Sequence, residues 1–582
     1  MKSTASERAA GAAQRKAGLS AGVTFALCLE RSPVRRTVPA IVLAVAYLFH
    51  QPAPIGASEG RQEATSAPSP RDESPSQLMA DRIDQLLGQQ AAREGIEFRG
   101  PASDGEFLRR ICLDLTGVIP TVSQVRDFLN DESPGKRALL IDHLLAHPSY
   151  ALHMASVWRD LMLPTDASID QLGGAAGLQR WLRRQFSDNL RYDRIVSDLI
   201  ATTGGNGETP ALYFTAQGLD ARKLAANSAR IFLGVQIQCA ECHDHPFDRW
   251  TQRDFWGYAA FFARLSDANS QRLIDQPSGE VTLPDSKEVV LPRYPGGGAV
   301  EELYGGTRRQ QLSIWMASPE NPYLARAAVN RVWSILFGRG LVNPVDDLGP
   351  HNPASHPELL EELSAYFVAN GYDLRDLFRT IANSQAYQRS SQVVRDKAVP
   401  IDAFASMPLK VLTAEQLYDS LSRCLMTGGM AERPLSLPGR EDPQRQRFLA
   451  TMRANTRDAT EYQAGLQQAL TMMNGGEVSA ATSLTSSSLL TALEAPFFTD
   501  AQRLNILFLA TVSRVPTVDE LRLFAEHRQL LDSRGDVTAT ADASVEENPA
   551  HGNTLQESIA DRQALADLLW ALLNSAEFAL NH

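Results

Sequence analysis

The sharpest chemistry in this sequence lies in one short run, Cys239-Ala-Glu-Cys242-His243-Asp-His245-Pro-Phe-Asp248. Cys-x-x-Cys-His is the spacing of covalent c-type haem attachment. Two thiols three positions apart sit on one turn, so each can add to one of the two vinyl groups of haem, and the adjacent imidazole of His243 is then held under the iron as its proximal ligand. The same residues admit other chemistries. Cys239 and Cys242 could close a disulfide or remain inert thiols, or they could join His243, His245 and Asp248 around a zinc or a non-haem iron ion. A structural zinc site needs four ligands, and the chain has no second Cys-x-x-Cys to supply the missing pair. His351 and His356 have a ligand-like spacing but lie far along the chain. No distal haem ligand is readable: His245 stays on the proximal side with His243, and Met154, Met162 and His153 fall at helical spacings typical of core residues.

The elements that must position this run are helical. Leu224, Ser228, Ile231, Phe232 and Val235 share one face of the segment entering the motif, and Phe255, Ala259 and Phe262 share one face of the segment leaving it. The motif is therefore expected in a loop between two packed helices. Helical periods dominate the rest of the chain, and four capping boxes open apolar runs: Thr121-x-x-Gln124, Ser355-x-x-Glu358, Thr413-x-x-Gln416 and Thr517-x-x-Glu520. The one extended stretch, Gly279 to Pro292, reads as a hairpin turning at Pro284-Asp-Ser286 and running into the glycines after Tyr294.

The expected fold is mainly α, with two helical domains joined by a short β-hairpin and loop region. The first domain is placed at 78–270, the hairpin and Gly-rich connector at 271–310, and the second domain at 311–582 with a flexible excursion near 532–553. Laying Pro120 on Pro516 brings Leu113, Thr121, Val122, Arg126 and Phe128 onto Leu509, Thr517, Val518, Arg522 and Phe524, an internal repeat best read as two similar helix-turn-helix junctions. A polar group made of Asn330, Arg331, Asp346, Asp347, His351 and His356 reads as a buried Arg–Asp network with a Ser-His-Pro helix cap.

Composition sets the context. With 582 residues, 43% of them hydrophobic, the chain can bury a large core, and its net charge of −12 with no long basic block argues against nucleic acid as a partner. Residues 1–57 combine basic residues, the apolar run Val38 to Phe49 and a small-residue site at Ala57, the pattern of a signal peptide, or of a signal anchor if it is not removed. Residues 58–77 read as a disordered linker. The folded part is thus expected outside the cytoplasm, in the periplasm or cell envelope, where haem is attached to such motifs. No Gly-x-Ser-x-Gly elbow, Walker loop, His-Glu-x-x-His or dinucleotide fingerprint is present.

Longer stretches carry a resemblance. Phe107 to Thr121 and Gly234 to Gly257 in the first half, with Asn321 to Trp333, Phe337 to Asp347, Asn383 to Tyr387 and Asp567 to Phe578 in the second, resemble the planctomycete cytochrome-associated proteins. That family has two consecutive domains of unknown function, often accompanied by a separate cytochrome c domain. The resemblance covers residue 79 to the C-terminus. It places any haem in the first domain and adds little on function; the motif and the leader themselves point to an exported c-type haem protein with haem on Cys239, Cys242 and His243, an electron-transfer or redox role, and a redox partner or cell-envelope component. The alternatives are an envelope binding or structural protein, and a non-haem metal enzyme.

Overall fold

A computed structural model of the protein describes residues 74–164, 176–204, 209–267, 272–284, 286–297, 300, 306–392, 399–425, 443–452, 466–539 and 549–582. The leader at 1–57 and most of the linker lie outside them. The first helix among the described residues, Pro75–Glu94, takes in the last three residues of the expected linker, because Ser74 accepts a hydrogen bond from the backbone N–H of Gln77 and Pro75 occupies the first turn.

The chain is mainly helical, with three small two-stranded sheets among the described residues. The expected hairpin is present, Val281–Thr282 pairing antiparallel with Val289–Val290. Two further pairs join Leu265–Asp267 to Leu273–Asp275, and Lys410–Val411 to the C-terminal Leu580–Asn581. Thr121, Thr413 and Thr517 form their capping boxes. Ser355 does not. The N-cap of helix Pro357–Ala369 is His356, and the Ser355 hydroxyl donates instead to the carbonyl of Leu341. Of the stretch expected as an excursion near 532–553, the first residues belong to helix Val518–Ala539 and the last to helix Pro549–Leu573. Only 540–548 within it fall outside the described residues.

The internal repeat is visible as backbone geometry. Helix Asp104–Thr116 ends on Gly117 and helix Asp500–Val512 on Ser513, both left-handed, and each is followed by a Pro-Thr pair and a capped helix. The second junction packs on the start of helix Asp104–Thr116, for a Cβ added to Gly105 would come within 2.6 Å of the Ser513 carbonyl oxygen.

Two buried clusters carry the fold. The larger runs from Met79 to Met407 and includes Leu509, so helices on both sides of the hairpin share it; the smaller joins Leu412 to Phe578 with Leu113 and Ile119. Helix Asp104–Thr116 connects them and is buried almost all round, including three charged side chains. Arg109 donates to the carbonyls of Thr511 and Phe578, Arg110 to Glu106 and the Tyr387 carbonyl, and Asp114 accepts from Lys410, Asn581 and Tyr387. Buried charges persist only when paired in this way. Among the described residues no helix is long and apolar enough to cross a membrane.

Candidate functional site: the Cys-His loop

Helix Ala221–Ser228 continues as one π-helical turn, Ala229–Leu233, and stops at Gly234 in the left-handed region. The stop is also a close approach. A Cβ on Gly234 would meet Leu348 at 2.5 Å, and the Gly234 carbonyl accepts from the Leu348 N–H at 2.7 Å. The motif follows as a single 3₁₀ turn, Gln238–Glu241. Ile237 and Ala240 plug this turn into the core, which turns Cys239, Cys242 and His243 outward. Both thiols are free and exposed.

The loop is lashed to the helix that follows it. Thr251 and Asp254 form a capping box at the start of Gln252–Ala259. The Gln252 side chain donates to the Cys242 carbonyl at 2.9 Å, the Gln252 backbone N–H donates to Asp244 Oδ1 at 2.7 Å, and Trp256 Nε1 donates to the Glu241 carbonyl at 3.0 Å. Arg222 reaches Glu241 from the preceding helix. The motif thus sits between two packed helices, as the apolar periods on either side require.

His243 places Nδ1 2.8 Å from the carbonyl oxygen of Asp244. With the proton on Nδ1 donated to that carbonyl, Nε2 is left as the basic nitrogen. His245 is turned the other way. Its Nδ1 accepts from the backbone N–H groups of Asp248 at 2.9 Å and Phe247 at 3.2 Å, closing the His-Pro-Phe-Asp turn. Asp248 Oδ1 accepts from the Arg249 N–H at 2.7 Å, while Oδ2 faces His351 Nδ1 at 3.6 Å. On the far side of that ring, His351 Nε2 lies 3.1 Å from Asp347 Oδ1, and the His245 and His351 rings are 6.0 Å apart.

The structure therefore brings His245 and Asp248 together with Asp347 and His351. Among the described residues no three His, Cys, Asp or Glu side chains are arranged to hold a metal ion. Sequence reading set Asp347 and His351 aside in a structural cluster; for Asn330, Arg331 and Asp346 that structural reading is right, whereas the expected Ser-His-Pro cap makes no side-chain cap bond. Asp346 pairs with Arg230 and Arg331, Asn330 bonds the backbone of Val342 and Val345, and His356 is buried. The neighbouring Asp346 and Asp347 face different partners, one the core arginines and the other the loop. Met154 and Met162 are fully buried core residues of helix Pro148–Met162.

Residues 82–267 match the family model PSCyt2, described as a protein of unknown function (DUF1549), and residues 308–434 match PSD1, a protein of unknown function (DUF1553). No curated protein and no solved structure matches the chain. The Cys-His loop falls inside the first matched segment, and Asp347 and His351 fall inside the second. The chain is thus similar to a DUF1549 domain over residues 82–267 and to a DUF1553 domain over residues 308–434, in that order along the sequence.

Proposed function

We propose that this chain is an exported c-type haem protein with an electron-transfer or redox role, its haem attached at Cys239 and Cys242 and ligated by His243. The observation that carries the reading is the state of His243. An imidazole whose Nδ1 proton is donated to a backbone carbonyl is fixed in tautomer and ring orientation, with Nε2 presented for an iron. The donor set fits the group: two free thiols stand exposed at the two ends of one 3₁₀ turn whose intervening Ala240 is anchored in the core.

Attachment asks of the protein two S–H additions across vinyl C=C bonds, which need neither an oxidant nor a leaving group. Haem, when bound, supplies one-electron chemistry at its iron. The chain's own residues do the rest. Gln252, Trp256 and Arg222 hold the turn that spaces the thiols, and the Asp244 carbonyl holds the His243 ring. The exported location is part of this proposal and rests on the leader pattern in residues 1–57.

Expression with a haem-attachment system, followed by absorbance and intact mass, tests the reading. The expected product shows a Soret band, an α-band on reduction and a mass increase of one haem. A colourless product that keeps both thiols would overturn it. Stoichiometric zinc or iron without porphyrin would replace it with the non-haem metal reading.

A further inference from the structure

Beside the Cys-His loop lies an open cleft of about 460 Å³, in the range of small-molecule sites. Its working surface is made by Tyr294, Gly296, Trp315, Tyr323, Arg249 and Arg326. Three rings are stacked in series, Phe261 on Tyr294 at 5.2 Å and Tyr294 on Trp315 at 4.8 Å, the latter pair within 13° of parallel. Tyr323 stands 6.3 Å from Trp315 at an angle of 51°. The two rings therefore form a corner, not a parallel slot.

Gly296 keeps that corner open. It lies in the left-handed region, and a Cβ there would come within 3.0 Å of the Tyr323 hydroxyl and 3.8 Å of the Arg249 guanidinium. Arg249 is held in place by donating to the Tyr323 hydroxyl at 2.8 Å and by lying over the Trp250 ring at 4.9 Å. Among the described residues no carboxylate pairs with its guanidinium. Arg326 gives one nitrogen to Glu361 at 2.8 Å, while its buried Nε has no partner among the described residues.

A parallel slot would sandwich a planar base, whereas a corner suits a puckered ring that lays its C–H face on one aromatic and turns its polar edge away. Two guanidiniums at that edge match a carboxylate. The chain's net charge of −12 disfavours a long polyanion, so the ligand is short or is met at its end. We propose that this cleft binds an acidic sugar, a uronate ring stacked on Trp315 with its carboxylate held by Arg249 and Arg326. The proposal is independent of what the cysteines carry.

Calorimetric titration of the full mature chain with digalacturonate tests it, with lactose as the neutral comparator and AMP as the planar anionic one. Saturable binding of digalacturonate is expected, at least tenfold tighter than lactose or AMP, and weakened at least tenfold by Arg249→Gln. Arg249 is exposed, so that variant should keep the wild-type circular dichroism and melting temperature. Trp315→Ala gives a second reading of the stacking face. No binding of digalacturonate, binding unchanged by Arg249→Gln, or tighter binding of AMP would each overturn the proposal.

Discussion

Asp248 and His351, 103 positions apart in the chain, face each other at 3.6 Å and join the Cys-His loop to a segment of the second family domain. Only 5% of the Asp248 side chain is exposed, so its carboxylate is largely withdrawn from water and depends on the Arg249 N–H and the His351 ring. Asp347 holds that ring from behind. The arrangement is a positioning device. It fixes the turn after His243 without touching the thiols.

Loosening that device should free the loop more than it destabilises the protein. His351→Ala is expected to cost about 1 kcal/mol of global stability. Amide exchange across residues 243–250 should accelerate, while exchange in helix Leu324–Phe337 stays as in wild type. Hydrogen-exchange mass spectrometry of both segments makes the check, and unchanged protection at 243–250 would show that the Asp248–His351 contact positions nothing.

The proposed division of labour in the loop gives a second set of outcomes. Cys239→Ala and Cys242→Ala should each leave at most one thioether. His243→Ala should retain both possible linkages yet change the spin state and potential of the iron, because His243 is the residue proposed to ligate it. His245→Ala should keep the cofactor, since the ring of His245 is engaged with the Phe247 and Asp248 amides. Intact masses and spectra of the four variants decide the roles. Loss of a non-porphyrin metal in His245→Ala would place that residue among metal ligands instead.

What was legible in the sequence was local. The Cys-His motif, the hairpin and three capping boxes each reside in a few consecutive residues, so type and spacing suffice to read them. Ser355-x-x-Glu358 has the spacing of a cap but fails because a distant acceptor, the Leu341 carbonyl, competes for the serine hydroxyl. His351 could not be assigned to the loop for the same reason at larger scale, since its partner is set by how Gly234 docks on Leu348. Arg109, Arg110 and Asp114 look like one polar face of an amphipathic helix. They are buried because carbonyls near residue 511 and residue 578, together with Lys410, arrive from the other end of the chain to meet them.

The C-terminal region should show a measurable acid sensitivity that begins at Glu520. Arg514 donates to Glu520 at 2.7 and 2.8 Å and to Glu577 at 2.7 and 2.8 Å, tying the start of helix Val518–Ala539 to the chain end. Hydrogen bonding from Arg514 holds the Glu520 carboxyl at about 2, against an ordinary value of 4.5. Because the folded value is the lower one, the contribution is fully present above about pH 4.5 and is lost as pH falls from there toward 2. The pair is about one-third exposed, so solvent screening keeps the effect small. Glu520→Gln isolates the charge, for glutamine serves equally well at the third position of the Thr517 capping box. The variant should melt about 0.5–1 °C below wild type at pH 7. The gap should close between pH 4.5 and 2, where wild type loses the same charge by protonation. A gap that stays constant over that window would mean that the Arg514–Glu520 contact acts through shape and capping alone.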